Sequence, residues 1–156
     1  MKTVPIKRSI ALQPLSREHH HGLLLCWKIR TGLKKGIDID RIKKYSDWFF
    51  KNSLSTHFNI EEEFVFPLLG NEHELVKKAL TDHRRLKRLF EDTTDIEKSL
   101  SLLEEELEKH IRFEERVLFP AIETIANEKE LQLIMEIHSE DSTYEDWGDE
   151  FWKIIR

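Results

Sequence analysis

Apolar residues recur at helical spacing along most of the chain, and polar residues fill the positions between them. From Ser16 to about Leu33 the apolar side carries Leu23 and Cys26, opposite an edge of Arg17, Lys28 and Lys35. A second run, from near Asp40 to about Leu69, has Trp48, Phe49, Phe50, Leu54, Ile60 and Phe64. The third runs from Glu72 to Glu91 with Val76, Ala79, Leu80, Leu86 and Phe90. The fourth runs from Ile96 to Ala126 with Leu100, Leu103, Leu107, Phe113 and Val117. Side chains three, four and seven residues apart share one helical face.

The breaks between runs carry turn chemistry: Gly36 with Asp38–Asp40, then Gly70-Asn71, then Thr93-Thr94-Asp95. Four long amphipathic segments with short turns predict an all-α fold, an up-down-up-down four-helix bundle with additional short C-terminal helices. Residues 1–14, with Pro5 and Pro14 and no period, read as a lead-in. Residues 15–126 read as the bundle, with Ser16 as first N-cap and Leu15 as its staple. Residues 127–156 read as a helical extension, first a short helix over about 128–138. Tyr144, Trp147, Phe151, Trp152, Ile154 and Ile155 then pack on the bundle or on a partner. Pro67 and Pro120 are expected to kink or end the second and fourth helices.

Polar residues that fall inside the apolar stripes change the picture. The stretch His57-Phe58-Asn59-Ile60-Glu61-Glu62-Glu63-Phe64-Val65-Phe66-Pro67 has a counterpart 53 residues on, His110-Ile111-Arg112-Phe113-Glu114-Glu115-Arg116-Val117-Leu118-Phe119-Pro120. In each copy the histidine and the first glutamate are four apart and lie in phase with the apolar face. Glu62 and Glu115 are turned off it. They and Glu63 read as outer groups or surface. The third run places His83 on its apolar face, and the first offers His19, His20 and His21. Neighbours on a helix point about 100° apart, so only one of these faces inward. The phase favours His19, with His20 as fallback. Glu18-His19 matches Asp82-His83, so the chain reads as a doubled helical hairpin.

Buried carboxylates facing one another repel unless cations meet them. Four imidazoles and two carboxylates suit iron, manganese or zinc. They are too many for one structural zinc. The expected site holds two metal ions bridged by Glu61 and Glu114, with His19, His57, His83 and His110 as the nitrogen ligands. A single His–Glu pair at this spacing is more often a surface ion pair or a core hydrogen bond; the duplication carries the metal reading. His21, His73 and His138 read as exposed or hydrogen-bonded, and Phe66 and Phe119 as core.

Composition narrows the classes. The 156 residues carry a formal charge of −5, so no basic face points to nucleic acid. Cys26 is the only cysteine, no apolar stretch is long enough to span a bilayer, and the cytoplasm is the expected compartment.

The two H-F/I-x-x-E-E-x-x-x-F-P copies, with Glu18-His19 and Asp82-His83, resemble the hemerythrin-like (HHE cation-binding) domain family. The resemblance spans about residues 15–125. It implies a non-haem di-iron centre, two iron ions with a bridging oxo, hydroxo or water ligand, on His19 or His20, His57, Glu61, His83, His110 and Glu114. Two positions differ from the oxygen carriers of the family. Lys87 stands four residues after His83 where the carriers have histidine, and Glu114 lies nearer to His110 than their acidic ligand does. The four-histidine, two-glutamate pattern is more similar to the branch implicated in nitric oxide response and repair of iron–sulfur centres.

The resemblance implies a protein that binds or reacts with oxygen, peroxide or nitric oxide in stress response or iron handling. No separate substrate pocket is legible, and the pattern assigns no enzyme class. An alternative is a non-enzymatic iron or oxygen sensor whose metal state controls a protein partner or homo-oligomer through the aromatic C-terminal segment. A third reading is a purely structural bundle with satisfied buried His–Glu pairs.

Overall fold

A computed structural model describes residues 8–137 and 147–153. The described residues are all-helical. Helix α1 spans Gln13–Lys34. Helix α2 covers residues 39–69, and α3 spans Glu74–Glu91. Helix α4 covers residues 96–125, and α5 spans Glu128–Ile137. A single 3-10 turn, Phe151–Lys153, lies beyond them. Among the described residues no helix is long and apolar enough to cross a membrane.

Helix α1 starts four residues earlier than expected, with Leu12 in place of Ser16 at the N-cap. Pro14 occupies its first turn, where a missing N–H costs nothing, and Ser16 makes no cap. Ala11, Leu12 and Leu15 are buried, so apolar contact rather than a side-chain cap fixes this end. The other starts use local side-chain acceptors. Asp38 takes the N–H of Asp40, His73 that of Leu75, and Asp95 that of Lys98. Gly70 stops α2 at φ +100°, a conformation that costs glycine little.

Helices α2 and α4 run through their prolines instead of ending there. Each contains a π-helical turn just before its Phe-Pro pair, Glu61–Val65 in α2 and Glu114–Leu118 in α4. The N–H of Phe66 reaches Glu61 O, and that of Phe119 reaches Glu114 O, five residues back. The wider turn moves the gap left by the missing proline N–H to the carbonyls of Glu62 and Glu115. It also advances the helical phase by one residue. Val65 and Leu118 therefore face the core, whereas Phe64 is half-buried and Val117 is 44% exposed. The expected stripe positions Phe64 and Val117 are corrected accordingly.

Helix α4 packs along both α1 and α3. Gly22 permits the first approach: a Cβ there would sit 2.8 Å from Ile111 Cδ1. Two apolar clusters fill the interior. One gathers Leu25, Cys26, Ile29, Ile42, Phe58, Leu103 and Leu107, and the other Leu12, Leu15, Val65, Phe66, Val76, Leu118 and Phe119. Every long helix crosses from one cluster to the other, and at that crossing each carries polar residues. The C-terminal segment joins the first cluster, with Phe151 fully buried and Trp147 and Trp152 against Tyr45. The expected aromatic position Tyr144, with Ile154, Ile155 and His138, lies outside the described residues.

Candidate metal centre

Between the two apolar clusters lies a layer made of His19, His57, Glu61, His83, His110 and Glu114. All six are buried, and both carboxylates are wholly so. They form two overlapping groups, one of His19, His57, Glu61 and Glu114, the other of Glu61, His83, His110 and Glu114. The two glutamates belong to both. Glu61 Oε1 stands 3.3 Å from His57 Nε2 and 3.3 Å from His83 Nε2. Glu114 Oε1 stands 2.9 Å from His19 Nε2, and its Oε2 3.4 Å from His110 Nε2. The Nε2 atoms of His19 and His57 are 3.1 Å apart. His20, the fallback, is exposed beside His21. His73 caps α3 at the surface.

Each histidine turns its other nitrogen to a second carboxylate. His19 Nδ1 meets Glu115 at 3.0 Å, His57 Nδ1 meets Glu18 at 2.9 Å, His83 Nδ1 meets Glu62 at 2.7 Å and His110 Nδ1 meets Asp82 at 3.0 Å. A carboxylate satisfies Nδ1 only as Nδ1–H, so each Nδ1–H donates outward. In the neutral rings all four Nε2 lone pairs then face the two glutamates. Such outer carboxylates fix the tautomer and ring orientation of metal-ligating histidines. Glu18 and Asp82 were not assigned this task from sequence. Their signal is the acidic residue directly before His19 and His83. Turned about 100° from an inward histidine, it reaches the next helix.

The layer is charge-frustrated. Burial and the nearby Glu114 push the Glu61 carboxyl up to about 8. Burial opposes ionisation of Glu114 too, but the charge on His110 and the hydrogen bond with His19 hold it well below the usual range. Burial pulls His110 down, yet Glu114 and Asp82 win and push it up to about 10. Burial pulls His19 and His83 down as well, but Glu114 and Glu115 raise His19, and Glu61 and Glu62 raise His83. Among the described residues, both oxygens of Glu61, Glu114 Oε2, His83 Nε2 and His110 Nε2 have no hydrogen-bond partner. Buried groups of this kind are costly unless something positive lies between them. The donor set therefore fits a metal ion. Phe58 stacks on His83 with ring centres 3.8 Å apart, and Phe119 on His19 at 5.3 Å, so the layer is walled by rings.

A model of the hemerythrin HHE cation binding domain matches residues 11–96. The chain belongs to this family. The match ends before most of α4, so the second stretch, with His110 and Glu114, completes the hemerythrin-like layer by its position in the fold. No curated protein and no solved structure matches the chain.

Proposed function

We propose that this hemerythrin-like chain is a non-haem di-iron protein of up-down-up-down four-helix form. It binds or reacts with oxygen, peroxide or nitric oxide in stress response or iron handling, in the cytoplasm. His19 and His57 would hold one ion and His83 and His110 the other, with Glu61 and Glu114 available to both. The observation that carries the proposal is the set of lone pairs directed at one centre, with five donor atoms otherwise unpartnered. Nitrogen and oxygen donors suit iron. The only thiol, Cys26, is buried and pushed up to about 12, which leaves it a protonated apolar filler.

Bound iron supplies the redox chemistry toward a diatomic ligand or peroxide. The chain's own part is to hold four imidazoles in one tautomer, keep two carboxylates ready to bridge, and exclude bulk water with Phe58, Phe66 and Phe119. Elemental analysis of anaerobically purified protein tests the proposal, with optical spectra before and after oxygen, peroxide and nitric oxide. About two iron atoms per chain are expected. A protein that takes up no iron under these conditions overturns it.

A further inference from the structure

The segment just before α1 treats the two halves of the layer differently. Arg8 is buried, 9% exposed. Its Nη1 donates to Glu123 Oε1 at 2.5 Å, and the Ser9 N–H donates to Glu123 Oε2 at 2.5 Å. Its Nη2 donates to the backbone oxygen of Glu115 at 2.6 Å. That carbonyl requires an outside donor. The N–H of Phe119 is taken by Glu114 O, and the residue five after Glu115 is Pro120, which has none. The guanidinium also lies 5.5 Å from the ring centre of Phe119, the ring stacked on His19. The Glu115 carboxylate is gripped in turn, by Ser16 Oγ at 2.8 Å and by His19 Nδ1 at 3.0 Å, with Arg8 Nη2 4.0 Å from its other oxygen.

The first stretch has the same gap and lacks the remedy. Phe66 N–H goes to Glu61 O, and five residues after Glu62 stands Pro67. Among the described residues no side chain donates to Glu62 O. The counterpart of Ser16 in the repeat is Leu80, and beyond His83 the Glu62 carboxylate has Lys87 at 3.9 Å. The His83 and His110 half also borders an open cleft of about 140 Å³ lined by Lys78, Asp82, Arg85, Glu106, Lys109 and His110 itself. Arg8 and Ser9 precede the span that the family model matches.

We infer that Arg8 is a positioning residue. It clamps Glu115 against His19 and makes the position formed by His19 and His57 the slower of the two to lose its ion. This role rests on the two-metal reading of the layer. The test uses full-length protein loaded anaerobically with ferrous iron and mixed with a coloured ferrous chelator. Wild type releases iron in two phases of one ion each. Arg8→Ala speeds the slow phase about tenfold and leaves the fast phase alone, within the range that outer partners of metal ligands carry. Arg8→Lys keeps the charge without the fork and restores part of the delay.

Glu123→Gln keeps volume and loosens the anchor, so it speeds the slow phase less. It carries the comparison if Arg8→Ala does not fold. In zinc-loaded protein, proton exchange at His19 Nδ1, read by NMR, quickens in the variants while that at His83 does not. Both phases accelerating together, or neither changing, overturns the inference. A wild-type protein holding fewer than two ions overturns the metal reading itself.

Discussion

The stretches 57–67 and 110–120 share offsets, π turns and prolines, yet their surroundings push the two glutamates in opposite directions. Glu61 is driven toward its neutral form by burial and by Glu114. Glu114 is driven toward its charged form because His110 and His19 outweigh its burial. Repetition places the two side chains symmetrically; the neighbours decide which one holds the proton. The layer without metal is thus an asymmetric ion cluster built on a symmetric frame.

Amide substitutions separate the two most sharply. Glu114→Gln removes the counter-charge from two raised histidines, and breaking a buried pair in this way costs about 3–5 kcal/mol. Glu61→Gln resembles the protonated carboxyl that burial and Glu114 favour, so the metal-free protein loses less stability than with Glu114→Gln. On the proposed two-ion reading both variants are expected to fall below two ions per chain, because each glutamate belongs to both groups of candidate ligands. Urea unfolding of the metal-free proteins, with elemental analysis, measures this. Equal destabilisation would mean that both carboxylates are charged in the absence of metal.

A second contrast lies within the π turn that begins at each glutamate. Leu118, fully buried, faces the core because that turn rotates it there. Leu118→Ala is expected to cost about 2–5 kcal/mol, a fall in melting temperature of several degrees for a chain of this size. Scanning calorimetry reads it directly.

Smaller again is the effect of an outer carboxylate on one half only. Asp82 accepts from His110 and from Lys78 at the edge of the open cleft. Asp82→Asn keeps the shape and weakens the hold on one of the two ions about tenfold or more. A competitive metal titration should then show one ion leaving early and the other unchanged. Equal weakening of both ions would show that the halves are not separable.

The candidate ligand residues were legible because His57 to Glu61 and His110 to Glu114 are single α-helical steps completed before the phase shift. Beyond Glu61 and Glu114 the same period points to Phe64 and Val117, one residue short of Val65 and Leu118, because a π turn has no signature in apolar spacing. Helix ends set by Asp38 and Asp95 were legible from turn chemistry, whereas the start of α1 was not, since Ala11 and Leu12 hold it through contacts distant in sequence. The tasks of Glu18 and Asp82 depend on which helix lies alongside, and that of Arg8 on a proline more than a hundred residues away.

Val117 gives the smallest expected effect and decides the phase directly. In an unbroken α-helix it would share the stripe of Leu107, His110 and Glu114, and placing a hydroxyl there would bury an unsatisfied polar group. With the π turn it is 44% exposed, next to the exposed Arg116. Val117→Ser should then change stability by no more than about 0.5 kcal/mol, as surface substitutions do. The loss of a little apolar contact is nearly matched by better hydration. Measured beside Leu118→Ala, the pair forms an internal control, because the two positions are adjacent and only the turn type distinguishes them. A cost for Val117→Ser as large as that of Leu118→Ala would mean that α4 stays α-helical through Pro120. The carbonyl of Glu115 would then lose the geometry that makes Arg8 its donor.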